Sequence, residues 1–204
     1  MRAGAGPRRR DPERTRERIL AAALREFSAK GFAGGRVDAV ARRARVNKRM
    51  LYHYFGNKEG LFHEILRGKI ARSVALVAAA PDDPAESLPY WYETACADAE
   101  WIRLLTWEAL SAGDGPVVAE DERRKAWREG VEKVRLAQAQ HRLAGDLDPE
   151  QALLSLIALT MFPLAFPQVT RLITGLAPTD PRFQKPRTES LRRLARHLAP
   201  LGDG

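Results

Sequence analysis

The segment from Asp11 to Leu66 constrains this chain most, because its helix starts and stops can be read residue by residue. Asp11 is a helix cap, Pro12 suits a first helical position and Glu13 faces the positive helix end. Ile19, Leu20, Ala23, Leu24 and Phe27 then recur at helical spacing. Gly31 supplies a stop, with Phe32 folding back onto the core. Val37, Val40, Ala41 and Ala44 mark a second, short helix after the Gly34-Gly35 loop. Arg45 and Val46 make a turn, and Asn47 caps a third helix, Lys48 to Phe55.

The third helix is two-sided. With Leu51 as the inward reference and about 100° per residue, Tyr54 and Phe55 fall within about 60° of it. Arg49, Tyr52 and His53 fall opposite, flanked by Lys48 and Met50. A short basic helix carrying aromatic residues, placed after a helix and a turn, is what a reader of the DNA major groove needs.

The charge distribution agrees. The net charge of +8 is uneven: residues 1–72 hold 19 Lys+Arg against 7 Asp+Glu, and the rest hold 15 against 19. A basic module made for a polyanion is thus joined to a mildly acidic body. Residues 1–10, MRAGAGPRRR, read as a mobile basic arm. Residues 11–72 read as the DNA-binding domain, with its helix-turn-helix at about 36–55. Residues 73–204 read as a helical body for regulation, ligand binding and dimerisation.

Gly56-Asn57 breaks the third helix, and Asn57 caps a fourth that runs from Lys58 to about Ala80, about 35 Å at 1.5 Å per residue. Further helices are expected at 84–97, 98–112, 117–143, 149–173 and 187–199, with Pro163 and Pro167 kinking or splitting the fourth of these. The expected fold is all-α.

Several function classes are disfavoured. The single cysteine, Cys96, permits no disulfide framework or Cys-rich metal site within one chain, which fits a reducing compartment. No run of about 18 apolar residues exists to span a bilayer. Arg8, Arg9 and Arg10 are followed by charge rather than by the apolar stretch of a signal peptide. A cytoplasmic protein with no membrane partner is expected. The four histidines, His53, His63, His141 and His197, form no close metal pair, and no glycine-rich phosphate loop follows a strand. Neither an enzyme nor a cofactor is expected.

Residues Thr15 to Leu66 resemble the TetR (tetracycline-repressor-like) family of transcriptional regulators. The resemblance lies in Thr15-Arg16 with Ile19-Leu20-Ala21-Ala22-Ala23, Phe27 with Lys30-Gly31-Phe32, Val37 with Val40-Ala41, and above all the unbroken run Leu51-Tyr52-His53-Tyr54-Phe55-Gly56-Asn57-Lys58-Glu59-Gly60-Leu61-Phe62. It implies an all-helical homodimer whose first three helices bind DNA. Helix 4 then leads to a body that binds a small molecule, and the last two helices pair across the dimer. Most members repress, and their ligands induce.

By family position Tyr52, Tyr54 and Lys58 grip phosphates. Lys48 and Arg49 are the candidate base readers, guanine being the natural target of arginine. Met50 is a candidate for a thymine methyl. Asn47, His53 and Arg36 complete the candidate DNA set, and Arg42, Arg43 and Arg45 include further phosphate contacts.

The chain departs from the family pattern in three places. Gly35 and Arg36 stand where Thr or Ser is usual, and Gly35 can still cap. Arg45 stands at the usual turn glycine, at a cost of about 1 kcal/mol if φ is positive. Arg49 replaces a frequent glycine, which is read as a retuned base preference.

In the body, Trp91, Trp101, Trp107, Phe162 and Phe166 are candidates for a pocket that takes a small hydrophobic effector. The alternative for each is ordinary core. Carbonyls freed by Pro163 and Pro167 could border that pocket. Leu153, Leu154, Ile157, Ala158 and Met161 on one helix, with Leu191, Leu194, Ala195 and Leu198 on another, are candidates for the dimer interface.

The function expected is a sequence-specific regulator, chiefly a repressor released from a palindromic operator by its ligand. The alternative is a regulator or DNA-coating protein without a small-molecule ligand.

Overall fold

Four Asp-Pro steps, at 11–12, 83–84, 148–149 and 180–181, each open a helix in the computed structural model, which describes residues 11–200. In each, the aspartate carboxylate accepts backbone N–H groups of the first turn, and proline fills the first helical position, where no donor is needed. The basic arm expected at residues 1–10 lies outside the described residues.

The described residues form ten helices and no strand. They fall into two compact units, one ending at Gly68 and one beginning at Lys69. The first contains α1 (Pro12–Gly34), α2 (Val37–Ala44), α3 (Lys48–Phe55) and the opening of α4 (Lys58–Ala79). The second contains the end of α4 and α5 (Pro84–Ala97), α6 (Ala99–Ala112), α7 (Glu120–Ala139), α8 (Pro149–Ala165), α9 (Pro167–Thr174) and α10 (Pro181–His197).

The core of the first unit comprises Ile19, Ala23 and Phe27 of α1, Val37, Val40 and Ala44 of α2, Leu51 of α3, and Leu61, Phe62 and Leu66 of α4. Gly31, at φ 68°, breaks α1 without ending it, and one more turn carries the chain to Gly34. That break turns Phe32 back, so that its ring centroid lies 5.2 Å from Phe62 and 6.3 Å from Phe27.

Gly35 does not cap α2 as expected; the cap position is Arg36, and it makes no side-chain cap bond. The φ of Gly35 is an ordinary −68°, so the glycine is not there for backbone freedom. A Cβ at this position would lie 2.4 and 2.7 Å from carbons of the fully buried Phe27 ring.

In the second unit α5 and α10 are packed on Leu88, Tyr92, Leu191 and Ala195, backed by Leu156, Leu159 and Phe183. Val134, Ala137, Leu143 and Ala152 form a second cluster. Glu108 and Arg123 make a buried two-pronged ion pair at 2.7 and 3.2 Å. Enclosing Glu108 is tolerable because the guanidinium of the half-buried Arg123 meets both its oxygens.

The expected helix 149–173 splits into α8 and α9, bent by 84° at Phe166. Proline in a helix interior leaves the carbonyl four residues back without its donor. For Pro163 that carbonyl is Leu159 O, which accepts instead from Arg187 Nη2 at 2.6 Å. For Pro167 it is Pro163 O, which accepts from the buried Thr170 hydroxyl at 3.0 Å. The freed carbonyls are therefore satisfied by side chains rather than offered to a pocket. Two other boundaries differ from expectation. The helix expected at 117–143 is confined to 120–139, ending before His141 in the left-handed region at φ 55°. The last helix starts at Pro181 rather than 187, because the Asp180 cap outweighs the Pro186 interruption.

Gly35→Ala should destabilise the protein by about 1–3 kcal/mol through overpacking against Phe27. The urea midpoint would fall with an unchanged slope; an unmoved midpoint would contradict the close approach.

Candidate nucleic-acid interface

The geometry of the outer face begins with the turn. Arg45 adopts φ 55°, ψ 45°, the left-handed conformation that glycine takes without penalty, at a cost of roughly 1 kcal/mol for any other residue. Its own N–H bonds to Arg42 O at 3.2 Å and the next, Val46 N–H, to Ala41 O at 3.0 Å, which closes the end of α2. Asn47 Oδ1 then accepts from Met50 N–H at 2.7 Å and opens α3. Gly56, at φ 73°, ends α3, and Asn57 Oδ1 accepts from Gly60 N–H at 2.7 Å to open α4.

Leu51 is the single buried residue of α3, at 0% exposure. Tyr54 and Phe55 are half-buried, and Arg16 lies 5.7 Å from the Phe55 ring centroid while pairing with Glu64. On the outer side Lys48, Arg49, Tyr52 and His53 are exposed, with Met50 half-buried beside them. Arg36, Arg42, Arg43 and Arg45 are exposed on the adjoining helix and turn. Of the expected set, Lys48, Arg49, Tyr52, His53, Asn47 and Arg36 are thus exposed on α3, its cap and the start of α2, whereas Tyr54 and Lys58 are half-buried.

Several of the candidate side chains are already engaged. Lys48 Nζ lies 3.1 Å from Asp38 Oδ1, and this carboxylate holds the ammonium's pKa above the ordinary lysine value; the Tyr52 ring centroid lies 5.9 Å away. Both members of the pair are exposed, so opening it costs little. Lys58 Nζ donates to Ala33 O at 3.2 Å and sits 4.8 Å from the Phe32 ring centroid, which ties the ammonium to the end of α1. Asn47, with its oxygen in the cap, keeps only its amide N–H groups for another partner.

Sequence reasoning missed Glu26. It is 2% exposed, on the inward face of α1 beside Phe27. Its carboxylate accepts from Lys30 Nζ at 2.7 Å, from Arg36 N–H at 3.3 Å and from Arg43 Nη1 at 3.4 Å. A side chain of α1 thereby takes the N–H of the α2 cap residue, one of the donors left open at that helix end, and holds Lys30 and Arg43. The signal was present: Glu26 continues the apolar stripe of Ile19, Ala22 and Ala23 at helical spacing, where a charge needs a partner.

In the second unit, two of the five candidate aromatics, Phe162 and Phe166, pack on each other at 5.1 Å. Trp91 packs on Tyr90 at 5.3 Å, and Trp101 lies 5.9 Å from the Arg123 guanidinium. Two clefts, of about 290 and 770 Å³, are lined by none of the five. Of the candidate interface residues, Leu191 and Ala195 are consumed by the core against α5 and are not free for a partner. Leu154, Ala158 and Leu194 are exposed. Among the described residues, no group of three or more His, Cys, Asp or Glu is arranged to hold a metal, and no single helix is long and apolar enough to cross a membrane.

A helix-turn-helix with a cationic outer face, followed in the chain by a separate helical unit, defines a DNA-binding regulator. Residues 19–65 match the family described as bacterial regulatory proteins of the tetR family, and residues 89–196 match the tetracyclin repressor-like C-terminal domain. The chain belongs to the TetR family of transcriptional regulators, which are not enzymes.

It is 34% identical to the HTH-type transcriptional repressor SCO4008 of Streptomyces coelicolor over 81% of this chain and 86% of that protein. It is 48% identical to the repressor NicS of Pseudomonas putida over 61 residues, 30% of this chain and 29% of NicS. The transcriptional regulator SCO4942 of Streptomyces coelicolor superposes with a TM-score of 0.72 at 25% identity, covering 91% of this chain and 98% of that one. The ketosteroid regulator KstR2 of Mycobacterium tuberculosis has the same fold, with a TM-score of 0.70 at 17% identity over 97% and 98% of the two chains.

Glu26 predicts a pH-dependent stability. The Lys30 hydrogen bond, helped by Arg36 N–H and the Arg43 charge and opposed by burial, holds its carboxyl below the ordinary 4.5. Its stabilisation is therefore complete above pH 4.5 and is lost as pH falls through the lower folded value. Glu26→Gln should cost about 1–3 kcal/mol at neutral pH, and the gap to wild type should narrow in acid. Urea denaturation across pH checks this; a gap independent of pH would contradict the assignment.

Proposed function

We propose that the protein is a repressor that binds a palindromic operator as a homodimer and leaves it when a small molecule binds the second unit. The observation that carries the DNA reading is the disposition of α3: Leu51 inward, and Lys48, Arg49, Tyr52 and His53 outward. Arg49 reads a guanine edge through N7 and O6, and Lys48 reads beside it once released from Asp38. Tyr52, His53, Tyr54, Arg36 and Asn47 hold the phosphates in register, and Met50 meets a thymine methyl. Lys58 contributes to phosphate binding while braced on Ala33.

Repression is supported by SCO4008, a repressor related over most of its length. Pairing is supported by apolar side chains left in the open on α8 and α9: Leu154, Phe162, Phe166, and Leu172 and Ile173 at 79% and 77% exposure. A second copy would cover them, and two-fold pairing would double a recognition site too short to be selective alone. Release requires an effector that prefers the form unable to bind DNA, since equal affinity for both forms shifts nothing. The larger of the two clefts combines Pro116, Val117, Trp127 and Val131 with charged residues, a lining that suits a small effector with an apolar body and a polar group.

Selection of binding sites from random DNA should yield a two-fold symmetric consensus. No enrichment, together with affinity that depends on salt alone, would mark a DNA-coating protein instead. Arg49→Ala should relax preference at one position in each half-site, worth about 1–3 kcal/mol of discrimination. Tyr52→Phe should weaken all sequences alike. Loss of affinity without a change of preference in Arg49→Ala would remove Arg49 as a base reader.

A further inference from the structure

The turn between α2 and α3 keeps an arginine at a cost to the backbone. Arg45 stands in the left-handed region at φ 55° and ψ 45°, and it is exposed. That conformation brings a Cβ too close to the following carbonyl oxygen. Glycine, with no Cβ, avoids the crowding. α9 also ends on a left-handed cap, and there the residue is Gly175, at φ 73° and ψ −1°. Strain of this kind persists where something outside the backbone offsets it, and functional surfaces are the usual place.

The fold makes no use of the guanidinium. Among the described residues Arg45 bonds through its backbone alone, its N–H reaching Arg42 O at 3.2 Å. The nearby carboxylates are taken: Glu26 holds Lys30 and Arg43, and Asp38 holds Lys48. A cation at the end of α2 would suit the helix dipole, but Arg42 and Arg43 already fill its last turn.

The surroundings are of the same sign. Arg42, Arg43, Arg45, Lys48 and Arg49 are all exposed within a short stretch of chain. Arg43 leans on Glu26 and Lys48 on Asp38, whereas Arg42, Arg45 and Arg49 have no carboxylate partner among the described residues. Uncompensated like charge works against a compact unit. A left-handed backbone, a bare guanidinium and crowded positive charge together call for an anion from outside. Arg45 precedes Asn47, the cap of α3, and so stands on the turn rather than on the helix that faces the bases. Its natural target is a phosphate beside the groove, not a base edge.

We propose that Arg45 is an added phosphate clamp, which strengthens the hold on every duplex without altering which sequence is preferred. A glycine in this turn would make no such contact. The role rests on α3 being a reader of DNA. It sets stability against binding at a single residue: the substitution that relaxes the backbone loosens the grip on DNA.

Three variants of the full chain separate the backbone from the charge. Arg45→Gly removes the strain and the guanidinium, Arg45→Ala removes the guanidinium alone, and Arg45→Lys keeps a positive charge. Affinity is measured across a range of salt for a selected operator and for an unrelated duplex of equal length. Arg45→Gly and Arg45→Ala should bind both duplexes about three- to tenfold more weakly, at the wild-type ratio between them. The slope of log affinity against log salt should become shallower by about 0.9 for each Arg45 in the complex. Arg45→Lys should restore most of the slope, since a point charge suffices for a phosphate. In thermal melting Arg45→Gly should exceed Arg45→Ala by about 2–4 °C, and neither should melt below wild type. An unmoved salt slope in Arg45→Gly and Arg45→Ala, an altered ratio between the two duplexes, or a lower melting point for Arg45→Gly than for Arg45→Ala would each overturn the proposal while leaving α3 as the reader. Failure of the wild type to bind either duplex would instead refute the DNA reading, and the clamp with it.

Discussion

An eight-residue helix cannot sustain itself in water, and α3 exists because Leu51 is fully buried while Asn47 closes its first turn. Every functional statement about the first unit descends from that one anchor. It fixes the rotation of the helix about its axis, and rotation decides which residues face out. Turned by half a circle, the same eight residues would bury Arg49 and expose Leu51, and the cationic surface would vanish. The half-buried Tyr54 and Phe55 brace the same inward side.

Around this anchor the electrostatics run in two registers. Inside, the enclosed carboxylate of Glu26 is worth having because three donors converge on it, two of them from side chains that keep one flank in water. It turns the weak start of α2, whose cap position lacks a capping side chain, into a defined one. Outside, pairs such as Lys48–Asp38 are exposed at both ends and hold lightly. A surface meant to exchange its partners for phosphate needs this combination: a frame that stays put beneath charges that let go. Their attraction for DNA weakens with salt as counterions are released.

The legible parts of the sequence were those governed by neighbours a few residues apart. The caps at Asp11, Asn47 and Asn57, the break at Gly56 and the inward position of Leu51 follow from local chemistry. The left-handed turn at Arg45 was legible as a consequence of where a glycine was missing. The Asp180-Pro181 step carried the same signal as Asp11-Pro12, but the surrounding prolines, Pro178 and Pro186, masked it and suggested a loop. What stayed hidden depends on residues far apart in the chain. Gly35 reads as a loop glycine until Phe27 is seen against it. Pro163 reads as a source of free carbonyls until Arg187, 28 positions from Leu159, is seen to fill one. In the aromatic run of α5, Trp91 looked the better pocket residue, yet Leu88, Tyr92 and Cys96 share a face at intervals of four, and Tyr92 is the one enclosed.

The central claim is the orientation of α3 toward the bases of a duplex. Methylation interference at guanine N7 on a selected operator tests it most directly. Wild-type protein should be blocked by methylation of one guanine in each half-site, and Arg49→Ala should be indifferent to those same methyl groups while remaining sensitive to phosphate ethylation. An identical guanine interference pattern for both proteins would mean that the outward face of α3 does not read the major groove.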